Sequence, residues 1–110
     1  MALAKQCYFI TRDFPKAEQF GFISQIRSAA ASVPANIAEG YGRENTGEYI
    51  RFLRIAQGSL KELETHVLLA TDVEICQPEI SQPVLEHADR LGRMLRSLIR
   101  RLQERQQRQS

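Results

Sequence analysis

The stretch EYIRFLRIAQGSLKELETHVLLA, residues 48–70, decides the fold. Its apolar residues Tyr49, Leu53, Ala56, Leu60, Leu63, Val67 and Ala70 recur at alternating steps of four and three. That is an unbroken heptad seam, and it predicts a long helix packing along its length against other helices. Asn45 stands where an N-cap belongs, with Glu48 three residues on as in a capping box. Phe52, Ile55, Leu68 and Leu69 widen the apolar surface beyond a two-stranded seam. Gly58 falls in mid-helix, at a cost of about 1 kcal/mol relative to alanine. A close helix–helix approach is the expected compensation.

Three further segments carry helical spacing. Leu3, Cys7, Ile10 and Phe14 mark a first helix over about residues 3–13. Phe14-Pro15 ends it, because the residue before proline avoids the helical region. A second helix is expected over 15–39, with the stripe Ile23, Ile26, Ala30, Val33 and Ile37. Gly21 can leave its first turn irregular, and Gly40 is placed to cap its end. Pro34 removes the donor for the Ala30 carbonyl. The stripe continues in phase across it, so one kinked helix is expected. The third helix is set at 46–74. Cys76 to Pro83 reads as a loop, with at most one helical turn. The fourth helix, 79–106, has the seam Val84, Ala88, Leu91, Leu95, Leu98 and Leu102.

No strand pattern competes, and the connections are short. The expectation is a single all-α domain, residues 1–110, folded as an up-down-up-down antiparallel four-helix bundle with a proline-kinked second helix. The first helix is too short to cover the others, which leaves apolar surface for a partner.

Composition bounds the rest. The 110 residues are 43% hydrophobic and 25% charged, with net charge +2, as in an average soluble domain. No apolar run reaches the ~20 residues that a membrane span requires. No signal peptide is visible, and two cysteines are too few for a disulfide framework. A cytoplasmic chain with free thiols is expected. The charge, however, is uneven. Residues 90–110 hold seven arginines against Glu104, a formal +6, while the remainder carries eight basic and twelve acidic residues, a formal −4. Such asymmetry points to an acidic or nucleic-acid partner.

Catalytic constellations are sparse. Ferritin-like di-metal bundles need Glu-x-x-His, but Leu63 and Val84 precede His66 and His87 by three residues. Glu62 and His66 can hold one metal and read more simply as a solvated pair. Cys7 lies on an apolar stripe, and Cys76 has no basic neighbour to activate it. Lys61 and His66 have the spacing of some helical ribonucleases, but lysine does not replace a bidentate arginine. No enzyme, metal or cofactor is expected.

The arginine arm is the remaining signal. With Leu91 taken as the centre of the buried face, Arg93, Arg96 and Arg100 fall on the opposite side at about 100° per residue. The candidate nucleic-acid-binding residues are Arg93, Arg96, Arg100, Arg101, Arg105 and Arg108, which suit phosphate contacts. A solvated helix face is the alternative. Arg51 and Arg54 flank the third seam and are candidates for a subunit interface or a phosphate. Arg43 stands with them as a further candidate. Asn36, Glu39, Ser59 and Glu64 lie near the buried stripes, either as an inter-helix network or as solvated groups.

FPKAEQFGFISQIR, AASVPANIAEGYGR and the 48–70 stretch, with RLGRMLRSLIRRL towards the end, carry a resemblance. Residues 14–76 resemble the four-helix-bundle protein family encoded within intervening sequences of bacterial large-subunit ribosomal RNA genes. That resemblance implies a kinked second helix and a four-helix bundle. It also brings in a related homopentamer, the accessory variability determinant of diversity-generating retroelements, which binds nucleic acid and its reverse transcriptase. No enzymatic activity is established for the family. The expected function is thus a non-enzymatic homo-oligomer, by that resemblance a pentamer, that binds RNA or DNA through its arginines and takes a reverse transcriptase or other protein client. The alternative is a scaffold whose basic face contacts an acidic protein.

Overall fold

The computed structural model describes residues 2–109, the side chains of 18–20 and 109 excepted. Four α-helices follow one another: α1 (Ala2–Arg12), α2 (Ser24–Tyr41), α3 (Thr46–Asp72) and α4 (Pro78–Gln109). Among the described residues there is no strand. The helices run alternately up and down. Arg27 of α2 reaches Thr11 of α1, Ser32 reaches Ser59, Gly92 lies against Leu60, and Gln6 meets His87. The all-α antiparallel bundle expected from the seams is present.

The core is built from the predicted stripes. Leu53, Ala56, Leu60, Leu63, Val67 and Ala70 of α3 are buried, against Ile26, Ala30 and Val33 of α2 and Leu3 and Cys7 of α1. On α4 the stripe is displaced. Val84, Ala88, Leu95, Ile99 and Leu102 are buried, while Leu91 and Leu98 are only half-buried.

The second segment differs most from expectation. It is not one helix from residue 15. A 3₁₀ turn (Lys16–Glu18) and a wide π turn (Gln19–Ile23) precede α2. Gly21, with φ −101° and ψ −107°, leaves the helical region inside that turn. A residue without Cβ yields there first. Pro34, by contrast, does not interrupt α2, which runs through it to Tyr41. Gly40 is not the cap; Gly42 is. A Cβ on Gly40 would stand 2.7 Å from the Phe52 Cβ, so this glycine lets α2 and α3 touch. Gly58 reverses the expectation too: a Cβ there would meet nothing within 4 Å.

Asn45 caps α3 as predicted, its side chain accepting from the Glu48 N–H at 3.0 Å. The helix ends at Asp72, two residues short of the expected boundary, in a Schellman motif. The Ile75 N–H bonds the Ala70 carbonyl at 2.8 Å and the Glu74 N–H bonds that of Thr71 at 3.0 Å. Glu74 occupies the left-handed position with φ 64°. The loop expected up to Pro83 is shorter. Pro78 starts α4 at its first position, where no N–H is needed, and Pro83 is carried inside the helix.

α1 has 11 residues, about 16 Å, and α4 has 32, about 48 Å, at 1.5 Å per residue. α1 therefore covers α4 only near its start, at His87. The C-terminal half of α4 packs on α3, with Gln106 reaching Gly47, and its remaining surface is open.

Candidate nucleic-acid interface

The arginines of α4 are exposed because the helix outruns α1. All six predicted residues, Arg93, Arg96, Arg100, Arg101, Arg105 and Arg108, lie exposed on this half. Their arrangement is not the single face expected. The residues actually buried centre about 45° from Leu91, at 100° per residue. Arg93 and Arg100 then lie on the outer side of one flank, and Arg96 turns about 95° from the core toward α3. Arg101, Arg105 and Arg108 fall on the opposite flank, beyond the start of α1. The arginines thus wrap the open part of α4.

Their pairing differs. Arg93 is held by Asp89 through a 2.6 Å ion pair one turn away. Arg96, Arg100, Arg101, Arg105 and Arg108 form no ion pair among the described residues. They remain available to an anion.

The basic residues of α2 and α3 divide in the same way. Arg43 pairs with Glu39 at 2.7 Å and Arg51 with Glu48 at 3.2 Å. Both guanidiniums also cover the Phe52 ring, at 5.0 and 4.7 Å from its centroid. Phe52 is consequently part of a local aromatic and cationic stack and not a free interface residue, whereas Ile55 remains 40% exposed. Arg54 has no such engagement among the described residues. It lines a cavity of about 400 Å³ between α3 and α4, together with Gly58, Lys61, Gly92 and Arg96. The sequence pointed to Lys61 only for its spacing from His66.

The polar residues near the stripes form half a network. The Ser32 and Ser59 hydroxyls share a 2.8 Å hydrogen bond across α2 and α3, and the Asn36 amide donates to the Ser32 carbonyl at 2.8 Å. Glu39 and Glu64 instead turn to Arg43 and Lys61. Ser32 was not legible as a partner, since one hydroxyl among small residues carries no periodic signal.

Cys7 is fully buried, and burial pushes its thiol up to about 12. Cys76 is raised by the same cause. Glu62 and His66 meet as the expected i,i+4 pair, with Glu62 exposed and His66 half-buried. His66 borders a cleft of about 270 Å³ that it shares with Gly21, Phe22, Gln25 and Leu69. Its Nε2 has no hydrogen-bond partner among the described residues, with Glu62 3.7 Å away. Among the described residues no three His, Cys, Asp or Glu side chains are grouped to hold a metal, and no helix is long and apolar enough to cross a membrane.

These features define a short-α1 antiparallel four-helix bundle with an arginine-wrapped last helix. The chain belongs to the 23S rRNA-intervening sequence protein family, whose family model matches residues 1–97. A crystal structure of a protein of unknown function from the S23 ribosomal protein family of Bacteroides thetaiotaomicron has the same fold. The TM-score is 0.76 at 21% identity, over 89% of this chain and 88% of that one. Among curated proteins, no relative matches.

Proposed function

We propose that this protein is a non-enzymatic accessory protein that binds the phosphate backbone of nucleic acid through α4. One observation carries the reading: Arg96, Arg100, Arg101, Arg105 and Arg108 are exposed on one helix without carboxylate partners among the described residues. Guanidinium groups suit phosphate oxygens, and the arm holds no aromatic residue on which a base can stack. The binding is therefore to the backbone, with no base preference. The family's connection with ribosomal RNA genes supports a nucleic-acid partner.

The acting species in this proposal is a homo-oligomer, by family resemblance a pentamer, with a reverse transcriptase as one class of protein client. Exposed apolar side chains support self-association: Ile55, Leu68 and Leu69 on α3 and Met94, 67% exposed, on α4.

Titration of random-sequence RNA and DNA oligonucleotides at several salt concentrations tests the reading. Affinity should fall steeply as salt rises, because released counterions drive phosphate binding. No measurable binding at low salt would reject it and leave the acidic-protein scaffold as the alternative. Light scattering coupled to gel filtration reads the oligomer; a monomer at tens of micromolar would contradict that part.

A further inference from the structure

Gly58 and Gly92 stand on facing helices beside one cavity, and the folded chain gives no reason for either. Both lie inside uninterrupted helix, α3 and α4, and neither has positive φ. A helix-interior glycine is less stable than alanine at the same place. Gly40 shows what a packing reason looks like, with Phe52 Cβ at 2.7 Å from a built Cβ. At Gly58 nothing comes within 4 Å, and at Gly92 the nearest atom, Leu60 Cδ2, is at an ordinary 3.5 Å. No described residue fills the space at Gly58, and an alanine Cβ would fit at Gly92.

The charge around that space is one-sided. Arg54, Lys61 and Arg96 line it, with Gln57 the other polar side chain and Leu60 its apolar floor. A Cβ on Gly92 would sit 3.8 Å from Arg96 Nη1, so the guanidinium lies over the bare backbone of its own preceding turn. Arg54 and Arg96 have no ion-pair partner among the described residues, and Lys61 meets Glu64 only at 3.6 Å. Those two unpaired guanidiniums and the Glu64-paired Lys61 border this open cleft of about 400 Å³, which has room for an anion larger than a halide.

We infer that the α3–α4 cavity bounded by Arg54, Lys61 and Arg96 is a phosphate-binding site that seats a backbone phosphate of the bound nucleic acid. This rests on the nucleic-acid reading of α4 and names a particular seat within it. Arg96 belongs to both, so the arginines of α4 lead a strand across the groove onto α3. The two glycines allow a phosphate and its ribose to approach the helix backbones. The guanidiniums supply paired donors and Lys61 a point charge.

The test is a plug that leaves every charge in place. Gly58→Leu fills open space with a good helix former, so the protein should fold at least as stably as wild type. Two probes are used on both proteins: inorganic pyrophosphate, read by the shift in melting temperature, and a single-stranded RNA 20-mer, read by fluorescence anisotropy at 50 and 200 mM salt. The expected result is a pyrophosphate-induced upward shift in wild type that Gly58→Leu abolishes, with RNA affinity reduced about tenfold. Arg54→Gln with Lys61→Gln should also flatten the plot of log affinity against log salt, by about 0.7 per lost contact on a single strand. If the plug abolishes the pyrophosphate shift and leaves RNA binding unchanged, the cavity takes free phosphate and the backbone assignment is overturned. If neither probe distinguishes the two proteins, the site is overturned altogether. It is equally overturned if pyrophosphate has no effect and the plug instead dissociates the oligomer, which makes the glycine pair a subunit contact. Should wild type bind pyrophosphate but no RNA or DNA, the proposed function fails while the anion site stands.

Discussion

Arg27 Nε donates a 2.8 Å hydrogen bond to Thr11 Oγ1, joining α2 to the last turn of α1. The Thr11 hydroxyl in turn donates to the Cys7 carbonyl at 2.8 Å. The guanidinium lies 4.0 Å from the centroid of the Tyr8 ring, with Nη2 3.4 Å from the Tyr8 carbonyl. A cation here also meets the negative end of the α1 dipole. A basic residue that invites a nucleic-acid reading thus serves to hold the shortest helix in place. Thr11→Val, nearly isosteric at a fully buried position, should cost about 1–3 kcal/mol in urea unfolding by leaving the polar groups around it unpaired. An unchanged midpoint would show that the clamp is idle.

Glu74 holds the left-handed position of the Schellman turn after α3. Glycine takes that conformation without the Cβ penalty of about 1–2 kcal/mol. Glu74→Gly should accordingly raise stability by about 1 kcal/mol, and Glu74→Ala should not. Thermal melts of the two variants side by side decide it.

Two glycine-to-alanine changes should have opposite signs. At Gly40 the added methyl meets Phe52 and Tyr49, and overpacking of this kind typically costs about 1–3 kcal/mol. At Gly58 it meets nothing, and the gain in helix propensity is about 1 kcal/mol. Equal effects in denaturant titrations would contradict the packing described for α2, α3 and α4.

Cys7 should resist alkylation in the folded protein at pH 8 and react once urea is added, because its thiol is buried and raised to about 12. The same shift makes a stability prediction. The unfolded thiol ionises near 9.0 and the folded one near 12. The folded state therefore holds the proton more tightly, and the contribution present below pH 9 is lost as the pH rises towards 12. The stability difference between wild type and Cys7→Ala should shrink over that window. A difference independent of pH would refute the assignment.

Replacing Arg93, Arg96 and Arg100 by glutamate should leave the fold intact, since all three are exposed and such changes cost less than about 0.5 kcal/mol each. Nucleic-acid affinity should fall for every sequence tested, and the salt dependence should flatten by about 0.7 per lost contact on single strands. Circular dichroism checks the first statement and anisotropy titrations the second. Unchanged affinity would move the interface to the Arg101, Arg105 and Arg108 flank.

The fold was legible where its signal was periodic. The seam from Leu53 to Ala70, the Asn45 cap and the all-α class follow from spacing and side-chain chemistry within a few turns of one helix. The arginine excess of residues 90–110 needed only counting. The site was less legible. Which way Arg96 turns depends on the buried centre of α4. That centre lies away from Leu91 because Ile99, outside the expected seam, packs inward while Leu91 and Leu98 stay half-buried. Arg54 and Lys61 could not be joined to Arg96 by sequence, because an α3–α4 contact links residues more than thirty positions apart.

The sequence by itself determined that this chain forms amphipathic helices with a basic last one, since helix periodicity and charge are properties of neighbouring residues. Only the tertiary structure decided what each glycine and each arginine does. Gly40 and Gly58 are chemically identical, and Arg27, Arg43 and Arg96 equally charged. Yet Gly40 presses on Phe52 while Gly58 opens on empty space, and Arg27 is spent on Thr11 and Arg43 on Glu39 while Arg96 is left without a partner among the described residues. The physical reason is that a contact depends on what another helix brings to the same place, and that is set by the register of the packed bundle and not by any local run of residues.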